Sequence, residues 1–315
     1  MSRSHESPKR TLAIIGAGRV ARGLGARLRE GGWRIGAVAA RQLRAARVAV
    51  RAIGGGAACT LPTRRVLDAA VILLAVPDDA LAAVAGQLAE GCAAELRRKV
   101  VLHTSGALTS AVLDPLARCG AWTGVMHPMQ SFGARTRPRL EGVLFGMEGH
   151  PQALRVIRRM VRSVGGEAAR IEAGKKPEYH CAGTFAAAHV LASVEAGIQL
   201  LMTAGMKRRE ATRALLRLTR QVLENQELLG PRAAWTGPLS RGDWDTIRLH
   251  WDALGRYPEE FRLAYAGMTR LAARLLAPAP AEVLARLETI LAAGSAPASP
   301  PDSCAAAARA AGIDA

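Results

Sequence analysis

The chain has 315 residues, half of them hydrophobic and 22% charged, which is a globular composition and excludes a disordered protein. Its formal net charge is +17, and 38 of its 43 basic residues are arginine. The arginines run along the whole chain without zinc-finger spacing or an aromatic–basic RNA-binding motif, so no nucleic-acid partner is expected.

Met1 to Arg10 is polar, reads as a flexible start over residues 1–9, and is not a secretory signal. Thr11 to Ile15 is a short apolar run, a first strand. A glycine turn, Gly16 to Ala21, follows it and opens a helix over Val20 to Arg29, ended by Gly31-Gly32. A second strand is expected over Arg34 to Ala39, then a helix over Arg41 to Ala52, broken by Gly54-Gly55-Gly56. Val71 to Val76 is a continuous apolar run stopped by Pro77, as suits a parallel strand buried on both faces. A helix over Ala80 to Glu90 and strands over Lys99 to His103 and Gly124 to His127 continue the alternation, which argues for a doubly wound α/β domain over 10–174. Gly174-Lys175-Lys176-Pro177 reads as a hinge. Beyond it helical periodicity dominates, roughly 179–206, 208–229, 243–253 and 257–275, with an amphipathic piece over Ala281 to Leu291. A helical substrate and dimerisation domain is expected over 175–292, and a disordered tail over 293–315.

The most apolar stretch, His189 to Met206, carries Glu195 in its middle, so no membrane span is expected. The five cysteines (59, 92, 119, 181 and 304) are scattered and odd in number, which fits a reduced, cytoplasmic setting and excludes a Cys-x-x-Cys metal site. No His, Cys or acidic pair has metal-ligand spacing, and no metal is expected.

Gly16-x-Gly18-x-x-Ala21 is a variant dinucleotide fingerprint, placed between a strand and a helix as that chemistry requires. Gly16 permits the turn, Gly18 lets backbone approach a pyrophosphate, and Ala21 seats the helix. The amides of Arg19, Val20 and Ala21 lie at the positive helix end. After the second strand comes Arg41, with Arg44 one turn on and no carboxylate near. Arginine there pairs with a 2′-phosphate, so NADP is expected over NAD. Ligands of open α/β sheets sit beyond the carboxyl ends of the strands. Three such ends are polar here. Val76, Pro77 and Asp78 would lie beside the cofactor, with Asp78 or Asp79 also able to cap the next helix. His103 and Ser105 form a second cluster, and His127 with Gln130 a third. Carbonyl or imine reduction needs a proton donor, and His127, Ser105 and His103 are the candidates. His180 and Thr184 share a helix face near the hinge and are candidates for substrate binding. His189 falls on the opposite face and reads as core or interface. Arg241, in the turn before Asp243, suits a substrate carboxylate, and Asp243 suits a helix N-cap.

Six strings occur in order over about residues 10–275: Gly16-Ala-Gly-Arg-Val20, Val76-Pro-Asp-Asp-Ala80, His103-Thr-Ser-Gly-Ala107, His127-Pro-Met-Gln-Ser131, Tyr179-His180, and Thr236-Gly-Pro with Arg241-Gly-Asp243. Jointly they resemble a bacterial family with a Rossmann-like domain followed by a domain of unknown function, number 2520. That family is similar to pyrroline-5-carboxylate reductases, prephenate dehydrogenases and ketopantoate reductases. The resemblance implies a Rossmann doubly wound parallel sheet followed by an all-helical domain resembling the 6-phosphogluconate dehydrogenase C-terminal domain, which commonly dimerises. It implies no substrate. Ketopantoate reductases use a Lys and an Asn from the helical domain. This chain has Lys175 and Lys176 at the hinge but no Asn from Tyr179 to Met206.

The reading that unites these features is an NADP-dependent oxidoreductase for a small polar carbonyl, imine or hydroxy acid, acting as a homodimer. Its rival is an NADP-binding sensor or scaffold without turnover.

Overall fold

The computed structural model describes residues 10–293, except Pro62, Arg135, Thr136 and Ala173. The flexible start expected over 1–9 and the tail expected beyond 293 lie outside the described residues. Two compact units divide between His189 and Val190.

The first unit is built on one eight-stranded sheet of order β3-β2-β1-β4-β5-β6-β7-β8. The strands are β1 (Thr11–Ile15), β2 (Arg34–Ala40), β3 (Ala57–Thr60), β4 (Val71–Leu74), β5 (Val100–His103), β6 (Trp122–Pro128), β7 (Leu144–Gly149) and β8 (Glu167–Arg170). Every pairing is parallel except β6 with β7. Its helices are α1 (Arg19–Glu30), α2 (Leu43–Ile53), α3 (Asp78–Cys92), α4 (Asp114–Arg118), α5 (Pro151–Ser163) and α6 (Lys176–Thr184).

Strand alternation sorts the core into two layers. Leu12, Ile14, Leu73 and Leu102 face the apolar sides of α1, α2 and α5. Ala13, Ile15, Ile72, Leu74 and Val101 face α3, α4 and the 3-10 turn at Arg64–Asp68. Burial on both sides is what permits runs such as Val71-Ile-Leu-Leu74. The order 3-2-1-4-5 is doubly wound, as the α/β reading expected of the fold class, and it puts the ends of β1, β4 and β5 side by side.

The short α4 and four further elements of this unit were not expected. β3 is only four residues long and follows three glycines. β8 is an edge strand bearing Glu167 and Arg170, and β7 carries two glycines, so neither shows a strand's apolar alternation. In α5 the arginines mask a regular stripe of Ala153, Leu154, Ile157, Met160 and Val161.

The second unit contains α7 (Val190–Thr203), α8 (Arg208–Leu229), α9 (Pro231–Ala234), α10 (Pro238–Arg241), α11 (Trp244–Leu254), α12 (Glu259–Leu276) and α13 (Pro280–Ala293). No strand is present among its described residues. Ile247, Trp251, Ala266, Leu287, Ile290 and Leu291 form its core. Asp243 caps α11 as expected, accepting from Thr246 N–H at 3.2 Å and Thr246 Oγ1 at 2.8 Å.

The hinge expected at Gly174 is not where the units divide. α6, a π-helical turn at Phe185–His189, and α7 run on as one helix from Lys176 to Thr203. The first unit keeps α6 because Lys176 is buried in it. By length and composition this helix is apolar enough to cross a membrane, and it takes in most of the apolar stretch that begins at His189, with Glu195 inside it.

Candidate functional site

Gly16 has φ +126°, and an added Cβ would strike the carbonyl of Ala75 after β4. Its N–H donates to Ala39 O at 2.8 Å, tying the end of β1 to β2. A side chain at this position is therefore excluded twice, by backbone conformation and by contact. Gly18 differs. It is exposed, caps α1 with ordinary φ, and a Cβ on it would meet nothing within 4 Å. No packing inside the protein requires glycine there, and the bare backbone is open to close approach by a ligand. The first helical bond of α1 runs from Arg22 N–H to Gly18 O, which leaves the amides of Arg19, Val20 and Ala21 without an intrahelical acceptor. No side chain caps them. Ala21 is fully buried and seats α1 on the sheet. This cradle fits a pyrophosphate.

Arg41 follows β2 and Arg44 opens α2; both are exposed, and neither is ion-paired among the described residues. The first turn of α2 holds no acid that would favour a ribose hydroxyl. Val76 and Pro77 form the turn from β4 into α3. Asp78 does not cap α3 with its side chain. Its Oδ2 instead accepts from Ser105 Oγ at 2.8 Å.

Ser105 is thereby committed. Its Oγ also accepts from Ala107 N–H at 3.2 Å and Leu108 N–H at 2.9 Å, so the hydroxyl shapes its own loop. His103 is also committed. It is fully buried, its Nδ1 accepts from Ser105 N–H, and its Nε2 faces Thr109 O at 3.1 Å. That pattern requires a neutral ring with the proton on Nε2. Burial pushes its pKa down to about 4, and the charge of Lys176 adds to the effect. Both side chains are held within the β5 loop and brace it.

His127 ends β6 and is half-buried. Its Nδ1 lies 2.9 Å from Tyr179 Oη, and its ring meets those of Tyr179 and His180 edge-on at 5.5 and 6.0 Å. Gly106 lies between the two imidazoles: a Cβ there would stand 2.8 Å from His127 Nε2 and collide with His180. The pKa of His127 is also pushed down to about 4, by burial first and then by the positive charge of Lys176 and His180. At neutral pH His127 is an uncharged imidazole, not a charged acid.

The residue that sequence reasoning left out of the site is Lys176. It is 1% exposed, and its Nζ donates to Ser105 O at 2.9 Å. Burial lowers its pKa, while Glu148 and Asp78 oppose that by favouring the ammonium. Tyr179, one turn on, rests its ring on Gly146 of β7 and accepts that residue's N–H at 3.2 Å. Glu148, also on β7, accepts from Ser110 N–H at 2.5 Å. The signal for Lys176 was a lysine in a chain that otherwise uses arginine, beside the Tyr179-His180 string.

The other candidate side chains have local partners or are exposed. Gln130 is exposed and spends its amide on Arg139 O and Ser131 N–H. Thr184 turns its hydroxyl back to His180 O at 3.5 Å. His189 is exposed in the π turn, edge-on to Phe185. Arg241 is exposed in the second unit. No metal-binding group of His, Cys, Asp or Glu is present among the described residues.

Two family descriptions match the chain: a Rossmann-like domain over residues 2–128 and a domain of unknown function, DUF2520, over residues 143–272. Among solved structures, a Bacteroides fragilis protein assigned as an NADP oxidoreductase is 21% identical with a TM-score of 0.69, over 84% of this chain and 98% of its own. A Thermotoga maritima protein is 22% identical with a TM-score of 0.64, over 88% and 98%. The pyrroline carboxylate reductase of Plasmodium falciparum, solved with NADP bound, is 13% identical with a TM-score of 0.56, over 92% and 100%. At such identities the likeness is one of fold. No curated protein matches the sequence.

Proposed function

We propose that this chain, which joins a Rossmann-like domain to a DUF2520 domain, is an NADP-dependent oxidoreductase acting on a small polar carbonyl, imine or hydroxy acid. The observation that carries the reading is the open glycine at the head of α1, with three unbonded amides behind it. The Plasmodium falciparum reductase of like fold holds NADP, which supports the same cofactor class.

Gly18 and the amides of Arg19, Val20 and Ala21 would hold the pyrophosphate, and Arg41 and Arg44 the 2′-phosphate. Bound there, the nicotinamide supplies or accepts the hydride. The accompanying proton belongs to Lys176. Its ammonium is anchored at Nζ by Ser105 O, and burial makes it a stronger acid than a surface lysine. The charges of Glu148 and Asp78 favour the ammonium form against that burial. His127, held by Tyr179, offers an uncharged hydrogen-bonding ring beside it. The helical domain would form a homodimer, a reading supported by exposed Leu191, Leu218, Leu228 and Leu229. The four described cysteines are all free thiols, which supports a reducing, cytoplasmic setting.

The test is NADPH oxidation over a panel of carbonyls and imines. Lys176→Met is expected to lower kcat by about 100-fold or more, the scale of a lost general acid, with NADPH affinity kept. Because His127 is neutral, His127→Ala costs less. Normal turnover by Lys176→Met would refute the assignment, and no turnover on any substrate would refute the oxidoreductase.

A further inference from the structure

The charge that looks diffuse in the sequence is polarised by the fold. α1, α2 and α5 cover one face of the sheet, and together they carry eleven arginines: 19, 22, 27, 29, 44, 47, 51, 155, 158, 159 and 162. The one acid on these helices is Glu30. The opposite face is different. Its two helices and the Arg64–Asp68 turn carry three arginines against five acids, and adding Glu95, Arg97, Arg98 and Lys99 from the loop after α3 makes it neutral. A compositional excess of arginine would load both faces alike. None of the eleven is fully buried, and among the described residues only Arg27 is ion-paired, to Glu30 and Glu141.

We infer that this face binds a nucleic-acid duplex through its phosphates, without reading bases. The helices are 11 to 13 residues long, hence about 16–20 Å at 1.5 Å per residue. Four strand steps separate β2 from β6, adding a width of about 19 Å. A patch of that length faces a duplex segment carrying roughly a dozen phosphates. Arginine suits them, since its planar fork bonds phosphate oxygens in pairs. Between α1 and α2 the patch holds a pocket of about 290 Å³ lined by Arg22, Arg27, Arg51 and Arg137; Glu30 pairs with Arg27 and Arg137, which leaves Arg22 and Arg51 to meet a phosphate. The three helices contain no aromatic residue on which unpaired bases would stack, which disfavours a single strand. Leu43 and Val48 are their only exposed large apolar side chains, too few to enter a lipid surface.

The experiment is anisotropy of labelled duplexes of two unrelated sequences, titrated with the full chain at several salt concentrations. Equal affinity for both is expected, with a log–log salt slope near −5 for about six phosphates engaged. Arg155→Glu/Arg158→Glu/Arg162→Glu lies on exposed positions of α5, away from the cofactor cradle. It should weaken binding at least tenfold and flatten the slope by about 2.7, leaving NADPH affinity unchanged. Arg213→Glu/Arg217→Glu/Arg220→Glu on α8 makes the same change in net charge and should leave binding within about twofold, as expected of a face and not of bulk charge. Should the α5 glutamate variant fail to fold by circular dichroism, the matching glutamine variant replaces it. The inference is overturned by no binding at about 50 mM salt, by equal loss in both variants, by strong sequence preference, or by capture on phosphatidylserine vesicles without duplex binding.

Discussion

His103 spends both ring nitrogens on its own loop, and burial holds its pKa at about 4. The unfolded ring titrates near 6.5, so between these values the unfolded chain binds the proton more readily. Stability from this residue is complete above about pH 6.5 and is lost as pH falls toward 4. The shift is equivalent to roughly 3 kcal/mol. His103→Gln should therefore lose less stability than wild type between pH 7.5 and 4.5 in urea denaturation, by about 2 kcal/mol. Equal losses would show that the buried ring does not govern this window. At this scale the sequence was a partial guide. A histidine at a strand end is equally a catalyst or a brace, and only its partners separate the two. Lys176 was hidden because its position beside a proline and a glycine reads as an exposed hinge, whereas its stem is buried under the β5 loop.

At the scale of elements, the strand–turn–helix of β1 and α1 was legible residue by residue, because each small side chain in it answers a separate steric demand. Gly16 and Gly18 make opposite predictions. Gly16→Ala must relieve a positive φ and a clash with Ala75, and should destabilise the fold by more than about 3 kcal/mol. Gly18→Ala meets open space and should cost under about 1 kcal/mol, the scale of an N-cap change. Its NADPH affinity should nevertheless fall about tenfold or more, since the added methyl stands where the pyrophosphate approaches the backbone. Calorimetry and thermal denaturation on both variants check this; a Gly18→Ala protein with full affinity would remove the cradle from the account. The short β3 and the elements after β6 were less legible. β7 and β8 pair at the far edge, where glycine and charged residues replace the apolar run that marks an interior strand.

At the scale of the molecule, the division into an α/β unit and a helical unit followed from the change in hydrophobic period, but its position did not. α6 looks like the rest of the helical part, yet Lys176 and Tyr179 anchor it to β7 and the β5 loop. The exposed leucines of α7 and α8 predict self-association. Sedimentation should give a dimer, and Leu218→Lys/Leu229→Lys should give a folded monomer; a monomeric wild type would contradict that reading. The net charge of +17 is also unevenly spread at this scale, since eleven of the 38 arginines crowd α1, α2 and α5, part of which borders the cofactor cradle. The most direct test of the central claim is calorimetric titration of the purified protein with NADPH and with NADH. The account predicts NADPH binding at least about tenfold tighter than NADH, with the difference abolished in Arg41→Ala/Arg44→Ala, as expected of charge-assisted bonds to one phosphate. Equal affinities, or no heat with either dinucleotide, would contradict it.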